Sequence, residues 1–279
     1  MDATFGPEWS ASLRRVTPDE LSDWLALALA CCDLADRQAL DAFRSQFDIE
    51  RKPDGSYVTP VDRAIEQAIG SLIVERFPAH EVVGEEYGTN RRTGSTRWLV
   101  DPIDGTHNFM RGIPVFATLV AVEHQGETQV AVVSAPALGQ RWWAGRGMGA
   151  WATDAYGQHP RSLRVSPVAT VAASQLLYRA VGDMRASRVA AGFERLIGVV
   201  GRERGFGDFW GYMLVAEGAA DILVEQDLKS WDMAAPWLIV EEAGGRVTDF
   251  AGLRSQTAGE SLATNGRVHR EALEHLARG

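Results

Sequence analysis

The stretch WLVDPIDGTHNF, residues 98–109, sets two carboxylates, Asp101 and Asp104, directly behind a short apolar run. Pro102 stiffens the link between them, so both acids can converge on one point, and the Ile103 carbonyl can join them. No Lys or Arg stands between Trp98 and Met110 to neutralise either charge. Two carboxylates and a carbonyl make the hard oxygen set that Mg²⁺, Mn²⁺ or Ca²⁺ prefers. Gly105 and Thr106 predict the opening of a short helical segment, whose unpaired N–H groups suit a phosphate. Taken alone, these residues are explained more simply by an Asx-type turn with solvated acids.

The same pattern recurs twice. GEEYG places Glu85 and Glu86 after the strand-like EVV, and Asp232 lies between Trp231 and Met233 at an expected helix N-terminus. Helix capping alone would explain Asp232. Lys52, Thr59 and Asp62 read as a turn followed by a capping box. Each signal has a local explanation, but together they set acids at three separate element ends. Gathered into one site, Glu85, Asp101, Asp104 and Asp232 would repel one another unless cations lay between them. Two or three divalent ions held there would activate a water, grip a phosphate and stabilise a leaving oxygen.

The elements that must position these acids follow from periodicity and punctuation. Pro18-Asp19-Glu20 opens a helix in which Leu21, Leu25, Ala28, Leu29, Cys32 and Ala35 recur at helical spacing, and the pattern predicts continuation towards Phe47. A turn-rich link around Asp54-Gly55 leads to a second helix, with Thr59 as cap and Pro60 in its first position. HEVVGEE, RWLVD, FATLVAVEH, TQVAVVSAP and RWWAGRG read as strands, several of them apolar on both faces, as in a sheet covered on both sides. Gly126-Glu127 and Leu138-Gly139 mark the turns that join the later strands. The polar segment Asp154–Pro160 divides an N-terminal α+β half (1–155), carrying the metal and phosphate residues, from a C-terminal α/β half (156–279) that closes the site. In the second half, helices are expected near Arg185–Gly198, from Asp208 to about Gly218, across WDMAAPWLIVEEAGG and from about Val268. Strands are expected near Arg204, at DILVE and at RVTDF.

The 279 residues are enough for a full core, with 46% apolar and 23% charged residues and a net charge of −9. That acidity argues against a nucleic-acid or membrane-surface partner, since both need basic patches. It also means that an anionic substrate would need local cations. Cys31 and Cys32 are adjacent on a helix, so they point apart and suit neither a disulfide nor a metal pair. No secretory pattern and no apolar run of about 20 residues is present, and the expected location is the cytoplasm.

WLVDPIDGTHNF closely resembles the D-P-[IL]-D-G-[ST]-x-N-[FY] signature of the inositol monophosphatase superfamily of metal-dependent phosphatases. WDMAAPWLIVEEAGG is similar to its second signature, GEEYG to its G-E-E element, and KPDGSYVTPVDRAIE to its K-x-D-x-S-x-V-T-x-x-D-x-x-x-E element. The four matches keep the family's order over residues 52–245. The resemblance implies an α+β fold, a layered α-β-α-β-α sandwich of the inositol monophosphatase/fructose-1,6-bisphosphatase type, as a homodimer acting on a small phosphate ester. It implies two or three Mg²⁺ ions per site, with Mn²⁺ as a substitute, held by Glu85, Asp101, the Ile103 carbonyl, Asp104 and Asp232. Gly105 and Thr106 would bind phosphate, and Asp62, Thr106 and Glu85 would carry the catalysis. Asp62 and Thr106 match the family's pair that helps orient and deprotonate the attacking water. Glu86 and Lys52 would stand behind them. His107 replaces the Thr or Lys of many members and is expected at the rim.

GDFWGYMLVAEGAADI and VSAPALGQRWWAGRGMGAWA resemble the histidinol-phosphate phosphatase branch. Inositol-specific members carry small residues where this chain has Gly207-Asp208-Phe209. Asp208 suits a substrate with an ammonium group and an imidazole, although it could instead cap the helix that begins there. Tyr212 follows one turn on, and Glu225 matches a position that touches the substrate's alcohol portion. The resemblance thus implies hydrolysis of L-histidinol phosphate in histidine biosynthesis. Inositol 1-phosphate, fructose 1,6-bisphosphate and a 3′-phosphoadenosine nucleotide are the close rivals, and a non-catalytic metal or phosphometabolite sensor is the distant one.

Overall fold

The computed structural model describes residues 16–53, 55–90, 94–153 and 159–277. The expected turn residue Asp54 and most of the expected boundary segment 154–160 lie outside them. Helix α1 (Pro18–Ala42) opens on Thr17 through a capping box. The Glu20 N–H donates to Thr17 Oγ1 at 3.2 Å, and the Glu20 carboxylate accepts the Thr17 N–H at 3.0 Å. Thr59 and Asp62 cap helix α2 (Pro60–Arg76) in the same way. The expected continuation of α1 to Phe47 does not form. Phe43 turns out of the helix at ψ 128° and packs its ring 5.0 Å from Phe116 and 5.8 Å from Phe109, so aromatic packing overrides the local period.

Strands β1 (Glu50–Arg51) and β2 (Tyr57–Val58) form a small ribbon. The first large sheet comprises β3 (Glu81–Gly84), β4 (Gly88–Asn90), β5 (Thr96–Asp104), β6 (Ala117–His124), β7 (Glu127–Ala135), β8 (Gln140–Gly145), β9 (Gly149–Ala152) and β10 (Arg161–Ser162). Its order is β10-β9-β8-β7-β6-β5-β3-β4. The second comprises β11 (Gln175–Tyr178), β12 (Arg202–Arg204), β13 (Ile222–Gln226), β14 (Arg246–Thr248) and β15 (Glu260–Thr264), ordered β12-β11-β13-β15-β14. The remaining helices are α3 (Thr106–Met110), α4 (Val181–Ala186), α5 (Ala190–Val199), α6 (Asp208–Ala216), α7 (Ser230–Glu242) and α8 (His269–Ala277). β11 and β15 stand where the sequence pattern gave no expectation. The single helix expected near Arg185–Gly198 is two helices, α4 and α5. Ser187 separates them, its hydroxyl donating to the Met184 carbonyl at 2.7 Å and accepting the Val189 N–H at 3.2 Å, a local bond that competes with the helix ladder.

Strand alternation sorts the apolar residues into three cores. Trp98, Val100, Val120, Val122 and Val132 face α1 and α2. Leu99, Leu119, Ala121 and Val133 face the opposite way, towards α6 and α7, which also receive Leu177, Leu223 and Ala263 from the second sheet. Leu176, Ile222, Val224 and Leu262 point outward to α4, α5 and α8. The layers therefore run α-β-α-β-α, as expected. α7, apolar on nearly every side from Met233 to Val240, is buried between the two sheets, as a helix of that composition must be. Cys31 and Cys32 are both buried free thiols. Among the described residues no helix is long and apolar enough to cross a membrane.

Candidate active site

The site lies where β5 ends. The register between β5 and β6 shifts between Asp101 and Asp104, so that Asp101 pairs with Leu119 and Asp104 with Ala117. Pro102, which has no N–H for the ladder, falls inside the shift, and a bulge of this kind re-aims side chains. Gly105 follows at φ 84°, a left-handed turn in which an added Cβ would come within 3.0 Å of the Val115 carbonyl, and α3 begins.

A cleft of about 930 Å³ opens there, between the β1–β2 ribbon, the loop after β3 and the starts of α6 and α7. Eleven of the residues expected from sequence line it: Lys52, Glu85, Asp101, Ile103, Asp104, Gly105, Thr106, Asp208, Tyr212, Glu225 and Asp232. Asp62 and Glu86 stand just behind the wall. Thr106 Oγ1 lies 3.3 Å from Asp62 Oδ1 and 2.9 Å from the Ile103 carbonyl. Lys52 Nζ donates to Glu85 at 2.8 Å and also to Glu86. His107 sits at the rim as expected, its ring stacked on Tyr57 at 5.9 Å.

Asp232 is the third residue of α7 rather than its cap. Lys229 holds the cap position, and its N–H donates to Asp232 Oδ2 at 2.7 Å. Asp104 Oδ2 accepts the Phe209 N–H at 2.6 Å, which ties the end of β5 to the start of α6. Asp101 is buried, and its Oδ1 has no hydrogen-bond partner. Burial, and then the repulsion of Glu85, Asp104 and Asp232, pushes the Asp101 carboxyl well above the usual range. Burial and the charges of Asp208 and Asp232 do the same to Asp104. Asp232 is pushed up to about 7, by burial first and against the pull of the Lys229 N–H. Burial opposes the charge on Lys52, but its bonds to Glu85 and Glu86 outweigh that and raise its pKa.

Among the described residues, no three ligating side chains are already drawn together around one point. Unscreened carboxylates hold one another apart, and Lys52 and the two backbone N–H groups take up part of their charge. The orphaned Asp101 oxygen, the hard all-oxygen donor set and the shared repulsion nevertheless fit a divalent cation.

On another wall of the cleft, α6 begins with Asp208 at φ 54°, a strained value for a residue with a side chain. The cap position belongs to Gly207, and no side chain caps the helix, so the capping role considered for Asp208 is not seen. The Asp208 N–H donates to Glu225 Oε1 at 2.7 Å. Glu225 is 1% exposed, and its Oε2 has no hydrogen-bond partner. Burial and the neighbouring Asp208 raise its pKa to about 8. Tyr212 is buried beside it. Each of the two perturbs the other's protonation, yet the Tyr212 hydroxyl closes no hydrogen bond of normal geometry.

Glu66 and Arg179 also belong to this site, and the sequence alone assigned neither a role. Glu66 accepts the N–H groups of Glu86 and Tyr87, each at 2.8 Å, and so fixes the loop that presents Glu85. It fills the space left by Gly84, where an added Cβ would meet Glu66 Oε1 at 1.9 Å. Its signal was the final acid of the KPDGSYVTPVDRAIE element. Glu66→Gln replaces one acceptor oxygen with a donor facing an N–H. It is expected to lower kcat/KM about 10- to 100-fold, as loss of a ligand's support does, with a measurable drop in melting temperature. An unchanged steady-state rate would contradict this. Arg179, at the end of β11, also lines the cleft. It had no signal, because β11 was not expected.

The chain matches the Inositol monophosphatase family over residues 20–278. It is 42% identical over 258 residues to a histidinol-phosphatase from Mycobacterium tuberculosis, covering 92% of this chain and 99% of that one. It is 41% identical to a histidinol-phosphatase from Streptomyces coelicolor, covering 93% of this chain and 98% of that one. Among solved structures, an extragenic suppressor protein from Bartonella henselae superposes with a TM-score of 0.83 at 27% identity, covering 91% of this chain and 98% of that one.

Proposed function

The chain belongs to the inositol monophosphatase family and is a phosphatase, and from that premise we propose that it hydrolyses L-histidinol phosphate to L-histidinol and phosphate. Glu85, Asp101, Asp104, Asp232 and the Ile103 carbonyl would hold Mg²⁺, which when bound supplies Lewis acidity and a more acidic water. The first N–H groups of α3, at Gly105 and Thr106, have no partner within the helix and would hold the phosphate oxygens. Thr106 Oγ1, within reach of both Asp62 and the Ile103 carbonyl, would orient the attacking water in line with the scissile bond. Asp62 is buried, and burial raises its affinity for a proton. It would therefore accept the proton that Thr106 relays from that water, while the departing alcohol oxygen would take its proton from a second water. The reading includes a homodimer working in the cytoplasm, as the family resemblance implies.

The observation that carries the substrate is the pair Asp208 and Glu225, with the orphaned Glu225 Oε2, both lining the cleft. An ammonium group and an imidazole N–H would satisfy both acids. A polyol hydroxyl could bond to Glu225 but would leave the charge on Asp208 unpaired. The test is phosphate release from L-histidinol phosphate and inositol 1-phosphate, with and without Mg²⁺, by wild type and Asp208→Ala. The variant is expected to lose about a hundredfold in kcat/KM on histidinol phosphate, or about 2.7 kcal/mol, and little on inositol 1-phosphate. Equal losses on both would reduce Asp208 to a structural residue of α6. Tight Mg²⁺ and phosphate binding with no turnover on any ester would favour a sensor.

A further inference from the structure

Asp208 and Glu225 share the cleft with a cation of the chain's own. Arg179 lines the same cleft, but its guanidinium hydrogen-bonds neither acid. Its Nε and Nη2 donate to Asp183 Oδ2 at 3.0 and 2.9 Å, and Nη1 donates to none of the described residues. The Asp208 carboxylate makes no hydrogen bond among the described residues, and Glu225 Oε2 is buried without a donor. The guanidinium is nevertheless close enough to pair with them. A Cβ placed on Gly207 would lie 2.5 Å from Arg179 Cβ and 2.5 Å from Glu225 Oε1, so those two atoms are within about 5 Å of each other, less than the length of an arginine side chain.

We propose that Asp183 is a specificity-determining residue: by holding the Arg179 guanidinium, it keeps an internal cation off Asp208 and Glu225, so that these acids receive the cationic part of a phosphate ester. This rests on the substrate reading above. A released guanidinium would form charge-assisted, two-pronged bonds with a carboxylate, and an incoming ammonium group would have to displace it. The charge of Arg179 is already felt at both acids. Asp183 is half-exposed on the short helix α4. The bond from Gln226 Nε2 at 2.8 Å goes to its backbone carbonyl, which any substitution retains.

The test is kcat and KM for L-histidinol phosphate and inositol 1-phosphate, on the full-length protein with Mg²⁺, for wild type, Asp183→Ala, Arg179→Met and the double variant. Asp183→Ala is expected to raise KM for histidinol phosphate about tenfold or more, with kcat nearly unchanged and inositol 1-phosphate little affected. The double variant should return KM to near the wild-type value, because the competing cation is gone. An unchanged KM in Asp183→Ala, or a raised KM that the second substitution does not relieve, overturns the inference. If wild type shows no preference for histidinol phosphate, the substrate reading fails and this inference with it. If the preference is present but Asp183→Ala leaves it intact, only this inference fails.

Discussion

Asp104→Asn is expected to lower kcat about a thousandfold or more, corresponding to a loss of about 4 kcal/mol or more of transition-state stabilisation, while leaving the fold intact. Asp104 lines the cleft at the end of β5, and its Oδ2 accepts the Phe209 N–H at 2.6 Å. An asparagine oxygen can keep that bond, so the junction between β5 and α6 survives. What is lost is one negative charge among Asp101, Asp104, Asp208 and Asp232, which repel one another. Removing it should stabilise the chelated protein while it removes a ligand for the cation. The variant should therefore melt at the same temperature as wild type in EDTA, or higher, gain less from Mg²⁺, and turn over far more slowly. Calorimetry and phosphate release separate these effects. Near-normal turnover would sink the metal assignment.

The second large effect is a pH dependence that the cation should reverse. Glu225 is pushed up to about 8, and Asp232 and Glu86 up to about 7, by burial above all. A carboxyl whose folded pKa lies above its unfolded value holds its proton more tightly when folded. Without metal it therefore contributes stability at low pH, which is lost as pH rises from the ordinary carboxylate range through the folded value. The chelated protein should accordingly melt higher at pH 6 than at pH 8. Saturating Mg²⁺ replaces those protons as the counter-charge. At a hundredfold excess over Kd it should add about 2.7 kcal/mol, raising the melting temperature by roughly 5–10 °C in a chain of this size. The gain should be larger at pH 8, where the proton no longer competes. Scanning calorimetry at the two pH values, with EDTA and with Mg²⁺, decides the matter. Parallel pH slopes in the two conditions would show that no cation binds among these acids.

The residues proposed to do chemistry were legible because their signals are local. The caps of α1 and α2 depend on contacts three residues apart, and the acids of WLVDPIDGTHNF lie within four residues of one another. The both-face apolar strands announced a sheet covered on both sides. The family signatures then bound these local signals into one expected site.

Three features were not legible. α1 stops at Ala42 because Phe43 is drawn to Phe109 and Phe116, rings more than sixty residues away. β11 and β15 are short strands whose pairing with β13 stabilises them more than any pattern of their own. The charge pairing of the site is likewise non-local. Lys52 meets Glu85 from 33 residues away, Phe209 donates to Asp104 across 105 residues, and Glu66 reaches the N–H groups of Glu86 and Tyr87 from the second helix. The sequence by itself determined which acids exist and which element ends carry them, because capping, turn chemistry and alternation act between near neighbours. Only the tertiary structure decided which acids share a cleft, which are left without a donor, and that Arg179 faces Asp183, because those outcomes depend on the order of strands and the packing of layers.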